Sequence, residues 1–250
     1  MVIIRSLIFL IYSTSLTLLM GLGALPVRVA FRNAALGYAR LWCRLLLAGL
    51  RVICHTDYRI EGLEKLPTDG PLLIASRHQS AFDTLVWMVR LPLPAYVMKE
   101  ELARIPLVGP MLLLTGMMPV ERGGAAKAMR SLLRETDQAV RSGRQIIIFP
   151  EGTRVVYGET VAPKPGVAAM AKHTGLPVWP VTTDSGKYWG RSAFLKRPGT
   201  ISIVVCDPVE SPDRAALLEQ IAKAWKEGDE RIRQVADRGA VSPFSTASKS

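Results

Sequence analysis

A chain of 250 residues is long enough for one good-sized domain with a hydrophobic core. Hydrophobic residues make up 49% of the chain and its formal net charge is +11, yet aromatic residues are few and no RNP or zinc-finger pattern is present, which argues against nucleic acid as the partner of this charge. Three cysteines without a Cys-x-x-Cys pair predict neither a disulfide framework nor a zinc cluster.

The first predicted element is an apolar helix at residues 7–25, LIFLIYSTSLTLLMGLGAL, which carries no charge over 19 positions. Its length suffices to span a bilayer core. The hydroxyl residues at 13–15 and Thr17 also suit a helix that lies in the membrane interface. An ordinary buried helix remains an alternative, and so does a cleaved signal peptide. A signal peptide is disfavoured because only Arg5 precedes the apolar run and no clear A-x-A site follows.

The N-terminal region is as basic as it is apolar. Residues 1–60 contain seven arginines and one acid, Asp57, so they supply +6. A phospholipid surface is the partner that fits a segment that is both apolar and cationic. The second predicted helix, 27–50, places four arginines directly after the apolar run, which favours the cytoplasmic side for everything downstream. We therefore predict a membrane-associated helical segment at 1–50.

Short apolar runs alternate with helical stretches in the rest of the chain. The predicted strands are 52–60, 71–75, 95–98, 145–149, 177–182 and 201–205. The predicted helices are 80–90, 105–115, 125–141, 164–174 and 212–236, the last with Ser211 as its N-cap. This alternation predicts an α/β domain over 51–238, in which helices flank a mixed, partly parallel sheet. The small, polar residues 239–250 predict a disordered tail.

Polar clusters follow four of the predicted strands. They are Ser76-Arg77-His78, Lys99-Glu100, residues 150–154 and residues 183–187. Ligands of open α/β sheets gather beyond the carboxyl ends of the strands. If these strands run parallel, the four clusters form one site.

The first cluster contains a candidate general base. His78 and Asp83 lie five positions apart in RHQSAFD, directly after an apolar strand. A neutral imidazole can accept a proton from a substrate hydroxyl when an acceptor such as a carboxylate holds its other ring nitrogen. Such a pair also arises by chance, as two polar residues at the start of a helix.

The third cluster contains a candidate phosphate site, FPEGTR at 149–154. Gly152 allows close approach of the backbone, and Arg154 has the planar donors that suit a phosphate. A tight turn with a solvated arginine is the alternative interpretation.

Together these stretches resemble the blocks of the glycerolipid acyltransferase family. The first block is RHQSAFD, in which Arg77 replaces the usual asparagine. The second is GMMPVERGG, with Gly116 and Arg122. The third is FPEGTR, and the fourth is GLPVWPV at 175–181. KEELARIPLVGP at 99–110 and the stretch at 162–175 are also similar, so the resemblance covers about residues 55–210.

The resemblance implies an O-acyltransferase that moves a fatty acyl group from a thioester donor, acyl-carrier protein or coenzyme A, to the sn-2 hydroxyl of 1-acylglycerol-3-phosphate. His78 would deprotonate that hydroxyl and Asp83 would orient the imidazole. The thiolate would leave with little acid help, because thiols are far more acidic than alcohols. No covalent acyl-enzyme, metal or resident cofactor is implied.

The same resemblance assigns the binding residues and the location. The acceptor phosphate would be held by Arg154, Arg122 and Lys99, and the remaining substrate-binding residues would be Glu151, Gly152 and Thr153. The partners would be membrane lipids, the lysophospholipid and the acyl donor, with no nucleic acid. The enzyme would lie at a bacterial-type inner membrane with its site on the cytoplasmic face.

Three other functions remain open at this stage. The acceptor could be another lysolipid, such as lyso-ornithine lipid. A metal-dependent hydrolase could use His78, Asp83 and Glu151, although no further ligand cluster supports it. A membrane module could bind lipid without catalysis.

Two further groups of residues have alternative roles. The methionines 111, 117 and 118 are core residues or line an acyl-chain groove. Lys187, Arg191, Lys196 and Arg197 form a solvated basic loop or a dock for anionic lipid or an acidic carrier protein.

Overall fold

The protein forms a seven-stranded sheet with helices on both faces, seen in a computed structural model that describes residues 1–106, 108–121, 124–191 and 194–240. The helices are α1 Val2–Val29, α2 Ala35–Cys54, α3 Phe82–Arg90, α4 Gly109–Leu114, α5 Ala125–Arg141, α6 Gly166–Thr174, α7 Ser185–Tyr188 and α8 Arg214–Ala240. The strands are β1 Thr56–Glu61, β2 Leu72–Ser76, β3 Pro94–Lys99, β4 Met118–Val120, β5 Gln145–Ile148, β6 Val178–Thr183 and β7 Gly199–Val205.

The strand order is β1-β7-β6-β2-β5-β3-β4. The five strands from β6 to β4 are all parallel, whereas β7 runs antiparallel to β6 and pairs in parallel with β1. The predicted mixed, partly parallel sheet is thus confirmed. The carboxyl ends of β2, β3, β5 and β6 meet at one edge, so the condition for a shared site is met.

The central strands are covered by helices on both faces, which explains why their sequences are continuous apolar runs. Leu72 and Ile74 of β2 face a core built with α1, α2 and α3. Leu73 and Ala75 face a second core built with α5, α6 and α8. Neighbouring residues of a strand point to opposite faces, so one short run serves both cores.

Helices α1 and α2 form an antiparallel hairpin. The Tyr12 hydroxyl donates to the Leu45 carbonyl and the Tyr38 hydroxyl to the Met20 carbonyl, each at 2.8 Å. The outer face of α1 exposes large apolar side chains, among them Ile4, Leu7, Ile8, Ile11, Leu18, Leu19 and Leu22. In the part of the chain that the structure describes, one helix, α1, is long and apolar enough to cross a membrane, as judged by length and composition alone.

Arg40 contributes to the structure in a way the sequence did not indicate. It was one of four arginines that we interpreted as a cytoplasmic-side signal. Its guanidinium donates to the carbonyls of Met88, at 3.2 Å, and Leu91, at 2.6 Å. These carbonyls end α3, so Arg40 caps that helix and fixes α2 to it.

Several predicted boundaries were wrong. The predicted helix 27–50 corresponds to α2, which begins only at Ala35 and continues to Cys54, where His55 in the left-handed conformation ends it. The predicted strand 52–60 corresponds to β1, which begins only at Thr56. The three-residue strand β4 was not predicted. Asp213, rather than Ser211, caps α8, since its carboxylate accepts the backbone N–H of Ala216 at 2.7 Å. Helix α8 also includes residues 239 and 240 of the predicted tail, and residues 241–250 lie outside the described residues.

Candidate active site

His78 and Asp83, predicted from the sequence as a pair, are in contact. His78 follows β2, and Asp83 lies in the first turn of α3. The Nδ1 atom of His78 is 3.1 Å from Oδ2 of Asp83. The same oxygen accepts the backbone N–H groups of Gln79 and Ser80, both at 2.8 Å. Asp83 is only 2% exposed, and these donors together with the start of a helix compensate its buried charge.

The imidazole of His78 is also fixed from its face. It stacks on the Phe149 ring with centroids 4.1 Å apart, and Phe149 stacks in turn on Tyr96. The contact of Nδ1 with a carboxylate selects the tautomer with the proton on Nδ1. Within the described residues Nε2 makes no hydrogen bond, and the side chain is 14% exposed. The ring is therefore arranged to accept a proton at Nε2.

The loop after β5 is fastened to the backbone of His78 at two points. The His78 N–H donates to Oε2 of Glu151 at 2.6 Å. The Val155 N–H donates to the His78 carbonyl at 2.8 Å. Arg154 directly precedes Val155, so its backbone lies at the same edge of the sheet as His78. Its side chain makes no hydrogen bond or ion pair with any residue the structure describes.

Glu151 was predicted to contact the substrate, but its carboxylate is occupied by the protein. The residue is 1% exposed, and its second oxygen lies 3.4 Å from Nε of Arg77. Burial raises the pKa of the Glu151 carboxyl to about 7. A buried group with both oxygens bonded to the protein supports the loop, and the assignment of Glu151 to the substrate-binding residues stays a prediction.

Gly152 and Thr153 lie in the turn between Glu151 and Arg154. Gly152 has φ +73°, a conformation that side chains disfavour, and a Cβ there would be 2.5 Å from Nζ of Lys164. The lysine therefore crosses over the glycine. Thr153 is exposed. Lys164 was not predicted, although a lysine between two prolines, shortly after the candidate phosphate loop, was a signal that could have identified it.

The two other predicted phosphate ligands belong to the β3 and β4 ends. Lys99 ends β3, is exposed, and pairs in register with Val120 at the end of β4. Its side chain has no polar contact among the described residues. Arg122 follows two positions after Val120 and lies outside the described residues.

The polar cluster after β6, residues 183–187, is hydrogen-bonded to the segment that carries the candidate base. The Gly186 N–H donates to the side chain of Gln79 at 3.1 Å, which connects this loop to the segment between His78 and Asp83. Asp184 is buried and accepts the Ser202 N–H at 2.7 Å. Burial raises the Asp184 pKa to about 6. These contacts are structural.

The predicted basic loop has three exposed cations rather than four. Lys187, Arg191 and Arg197 are exposed. Lys196 is buried between the rings of Phe9 and Trp189, at 5.2 and 5.1 Å from their centroids. A lysine held over two aromatic rings fixes α1 to the domain and does not belong to a surface dock.

A largely apolar cavity lies against the first turns of α3. A space of about 520 Å³ is lined by Ala81, which precedes α3, by Thr84 and Leu85 of α3, and by residues of α1 and α2. A second cavity of about 100 Å³ shares Thr17, Trp42 and Val108 with it and reaches Met111 and Leu112. Met117 and Met118 are buried in the core instead. Of the candidate methionines, Met111 therefore lines a cavity.

The described residues contain no group of three or more His, Cys, Asp or Glu side chains arranged to hold a metal ion. The alternative of a metal-dependent hydrolase would need such a group, because catalytic zinc takes three protein ligands. No observation in this part of the chain supports that alternative.

Comparisons with known proteins agree on one family. The family description "Acyltransferase" matches residues 57–184. A protein of Pseudomonas aeruginosa named 1-acyl-sn-glycerol-3-phosphate acyltransferase is 33% identical over 205 residues, which are 80% of this chain and 78% of the relative. A protein of the same name from Borreliella burgdorferi is 34% identical over 139 residues, 55% of this chain and 53% of that relative.

A solved structure shares the fold. The crystal structure of the 1-acyl-sn-glycerophosphate (LPA) acyltransferase from Thermotoga maritima superposes with a TM-score of 0.65 at 24% identity, over 90% of this chain and 98% of that chain.

Proposed function

We propose that this chain, which belongs to the acyltransferase family, moves a fatty acyl group from a thioester donor to the sn-2 hydroxyl of 1-acylglycerol-3-phosphate and so forms phosphatidic acid. Its relatives carry the name of this reaction. The observation that carries the proposal is the His78–Asp83 contact, which leaves Nε2 open beside the loop that bears Arg154. Membership in this family argues against the alternative of a lipid-binding module without catalysis.

The proton transfer follows from the geometry of the pair. Asp83 holds Nδ1, so Nε2 takes the proton of the acceptor hydroxyl while its oxygen attacks the thioester carbonyl. The resulting imidazolium is stabilised by the Asp83 carboxylate. The tetrahedral intermediate then expels the thiolate, and the proton on Nε2 returns to the leaving sulfur or to water. The donor, acyl-carrier protein or coenzyme A, is a co-substrate, and no resident cofactor takes part.

Phosphate recognition rests on cations that the protein leaves available. Lys99 and Arg154 have no polar partner among the described residues, and Lys164 lies against the same loop at Gly152. A phosphate with two negative charges would compensate such a group of cations. Arg122 belongs to the proposal by sequence alone.

The alternative acceptor, lyso-ornithine lipid, gains nothing from the structure. The departure at Arg77 was the feature that could have changed the acceptor. Its guanidinium is bound by Glu151, Asp229 and the Glu159 carbonyl, so it adds no charge to the cleft.

The cavity beside α3 gives the acyl chains a place. Its walls include Leu85, Trp42 and Leu46, and the smaller cavity beyond it is almost entirely apolar. A hydrocarbon chain gains about 0.8 kcal/mol for each CH₂ removed from water. The chain next to the reacting carbon would therefore extend from His78 along α3 into the space between α1 and α4.

The exposed face of α1 supports a membrane location. Near its start, the backbone N–H of Lys196 donates to the Ser6 hydroxyl at 2.9 Å, and Phe9 packs edge-on against Trp189. Further along, Met20 and Ala24 line the cavity shared with α4. A helix that contacts the domain along its length suits the interface better than a span. We place the protein on the cytoplasmic face of a bacterial-type inner membrane.

An activity assay across substrates tests the proposal. Purified protein in mixed vesicles is given a panel of lysolipids, each with acyl-carrier protein and coenzyme A thioesters. We expect the highest kcat/KM with 1-acylglycerol-3-phosphate. Equal or better turnover of a lysolipid without phosphate would show that the proposed acceptor is wrong.

A further inference from the structure

Arg77 is a buried cation with three protein partners. It is 5% exposed, and its Nη1 forms an ion pair with Asp229 of α8. Its Nη2 donates to the Glu159 carbonyl at 2.8 Å, and Nε lies 3.4 Å from Glu151. The guanidinium group thus connects α8 to the loop after β5, and it belongs to the residue that directly precedes His78 in the chain.

The contacts continue on both sides of this arginine. On one side, Glu151 accepts the backbone N–H of His78 at 2.6 Å. On the other side, Asp229 accepts the hydroxyl of Thr182 in β6. Asp229, Arg77, Glu151 and the His78 N–H therefore form one uninterrupted chain from α8 to the candidate base.

Trp225, one turn before Asp229, holds α8 against the same segment. Its indole N–H donates to the Ala75 carbonyl at 3.1 Å, and the Arg77 guanidinium lies 5.8 Å from its ring centre. Helix α8 thus contacts β2 just before the strand ends. A hydrogen-bonded tryptophan and an ion pair to the buried Arg77, both within one turn, give α8 a defined position relative to His78.

We propose that Arg77 and Asp229 are a positioning pair for acyl transfer, through which α8 holds Glu151 and thereby the backbone of His78 in the catalytic orientation. This inference rests on the proposed function. Neither residue touches substrate in it. Their effect on the reaction passes through Glu151.

The pair also has an electrostatic consequence. The charged and titratable groups around the Glu151 carboxyl are Arg77, His78 and Asp83 from the β2–α3 segment, Asp229 from α8, and Lys164 above the adjoining glycine. Burial raises the pKa of Glu151 and Arg77 lowers it. The ionised carboxylate is the better acceptor for the His78 N–H, so protonation of Glu151 weakens that contact.

Removal of the Arg77 charge and removal of the Asp229 charge should therefore shift the pKa of Glu151 in opposite directions. Without the Arg77 charge, the Glu151 pKa rises, and the acidic limb of the kcat profile moves to higher pH. Without the Asp229 charge, Arg77 is balanced by Glu151 alone, so the Glu151 pKa falls and the limb moves to lower pH. A merely structural pair would lower activity without opposite shifts.

The experiment uses the 250-residue protein in vesicles, with four test variants and one control variant. Arg77→Gln and Asp229→Asn remove one charge each, the double variant removes both, and Arg77→Lys keeps the charge. Glu230→Gln, at an exposed neighbouring position of α8, is the matched control. We expect Arg77→Gln to lower kcat at neutral pH by about tenfold or more with little change in KM. The double variant should be less impaired than Arg77→Gln, because it leaves fewer unbalanced buried charges.

A second measurement keeps the test independent of the acceptor and of stability. Carbon-13 NMR of the Glu151 carboxyl, assigned with Glu151→Gln, reports its pKa directly in wild type, Arg77→Lys and Asp229→Asn, even if Arg77→Gln does not fold. Unchanged titration and unchanged acidic limbs would overturn the positioning pair. If the wild-type protein were inactive with 1-acylglycerol-3-phosphate, the proposed function would be wrong. The NMR titration would still show whether Arg77 and Asp229 act on Glu151.

Discussion

The Val155 N–H donates a hydrogen bond of 2.8 Å to the carbonyl of His78. This contact joins the loop that carries the candidate base to the loop that carries the candidate phosphate ligand. A hydroxyl and a phosphate on neighbouring carbons of one glycerol need these two groups at a fixed separation, and direct backbone bonding between the loops provides it.

Substitution of the base tests the chemistry. We expect His78→Ala to lower kcat by about 10²–10⁴-fold, since that is the usual contribution of a general base. Binding to vesicles should persist. His173→Ala is the control, because His173 is an exposed histidine paired with Asp137 at 2.7 Å. Normal turnover of purified His78→Ala would contradict the role of His78.

Substitution of Arg154 tests the phosphate contact. Arg154→Ala should lose a charge-assisted hydrogen bond of about 1.5–3 kcal/mol, which is roughly a 10- to 100-fold loss in kcat/KM. Activity is compared between 1-acylglycerol-3-phosphate and the matching monoacylglycerol, which lacks the phosphate. The loss should disappear with the second acceptor. The exposed Arg141→Ala should behave as wild type, and an equal loss with both acceptors would place the phosphate elsewhere.

Alanine substitutions at two glycines with similar backbone conformations distinguish the effect of backbone strain from the effect of displacing Lys164. Gly152 and Gly143 both have positive φ, +73° and +63°, but an added Cβ meets Lys164 at the first and open space at the second. Alanine at either position should cost about 1–2 kcal/mol of stability through its left-handed conformation. Only Gly152→Ala should also lower kcat/KM. Similar activity of the two variants would show that Lys164 is not needed where it lies.

The stability of the protein should depend on Asp184 in acid. Burial raises the pKa of this carboxyl from 3.8 to about 6. The folded protein therefore holds the proton more tightly than the unfolded chain, and the free energy of unfolding falls as pH rises from 3.8 towards 6. Thermal unfolding of Asp184→Asn should show a smaller loss over this window. Asp69→Asn, at an exposed position, should keep the wild-type slope, and so would Asp184→Asn if the carboxyl stayed ionised.

The exposed face of α1 should control membrane binding. Replacement of Leu7, Ile11 and Leu19 by serine removes exposed apolar area without changing a residue that lines either cavity. We expect the triple variant to sediment less with vesicles and to unfold at the wild-type temperature. Serine at Leu102, exposed but outside α1, is the control. Undiminished sedimentation of the triple variant would move the membrane contact to another surface.

The sequence predicted the location of the site because parallel strands end at one edge, and polar residues after four apolar runs mark those ends. It predicted the His78–Asp83 contact because both residues belong to one short segment. It did not predict the Arg77–Asp229 pair, since 152 positions separate the two residues and nothing local marks a guanidinium for burial. Strand β4 was missed because three residues are too few for an alternating pattern to show.

Helix α1 has two faces under different physical demands. Its outer face needs only to be apolar, so many combinations of aliphatic side chains would serve there equally well. Its inner face forms part of the cavity wall, where the shape of each side chain limits the length and bend of the hydrocarbon that fits. We therefore expect natural variants of this helix to drift freely on the outside, and to change chain-length preference when residues such as Thr17 or Met20 change.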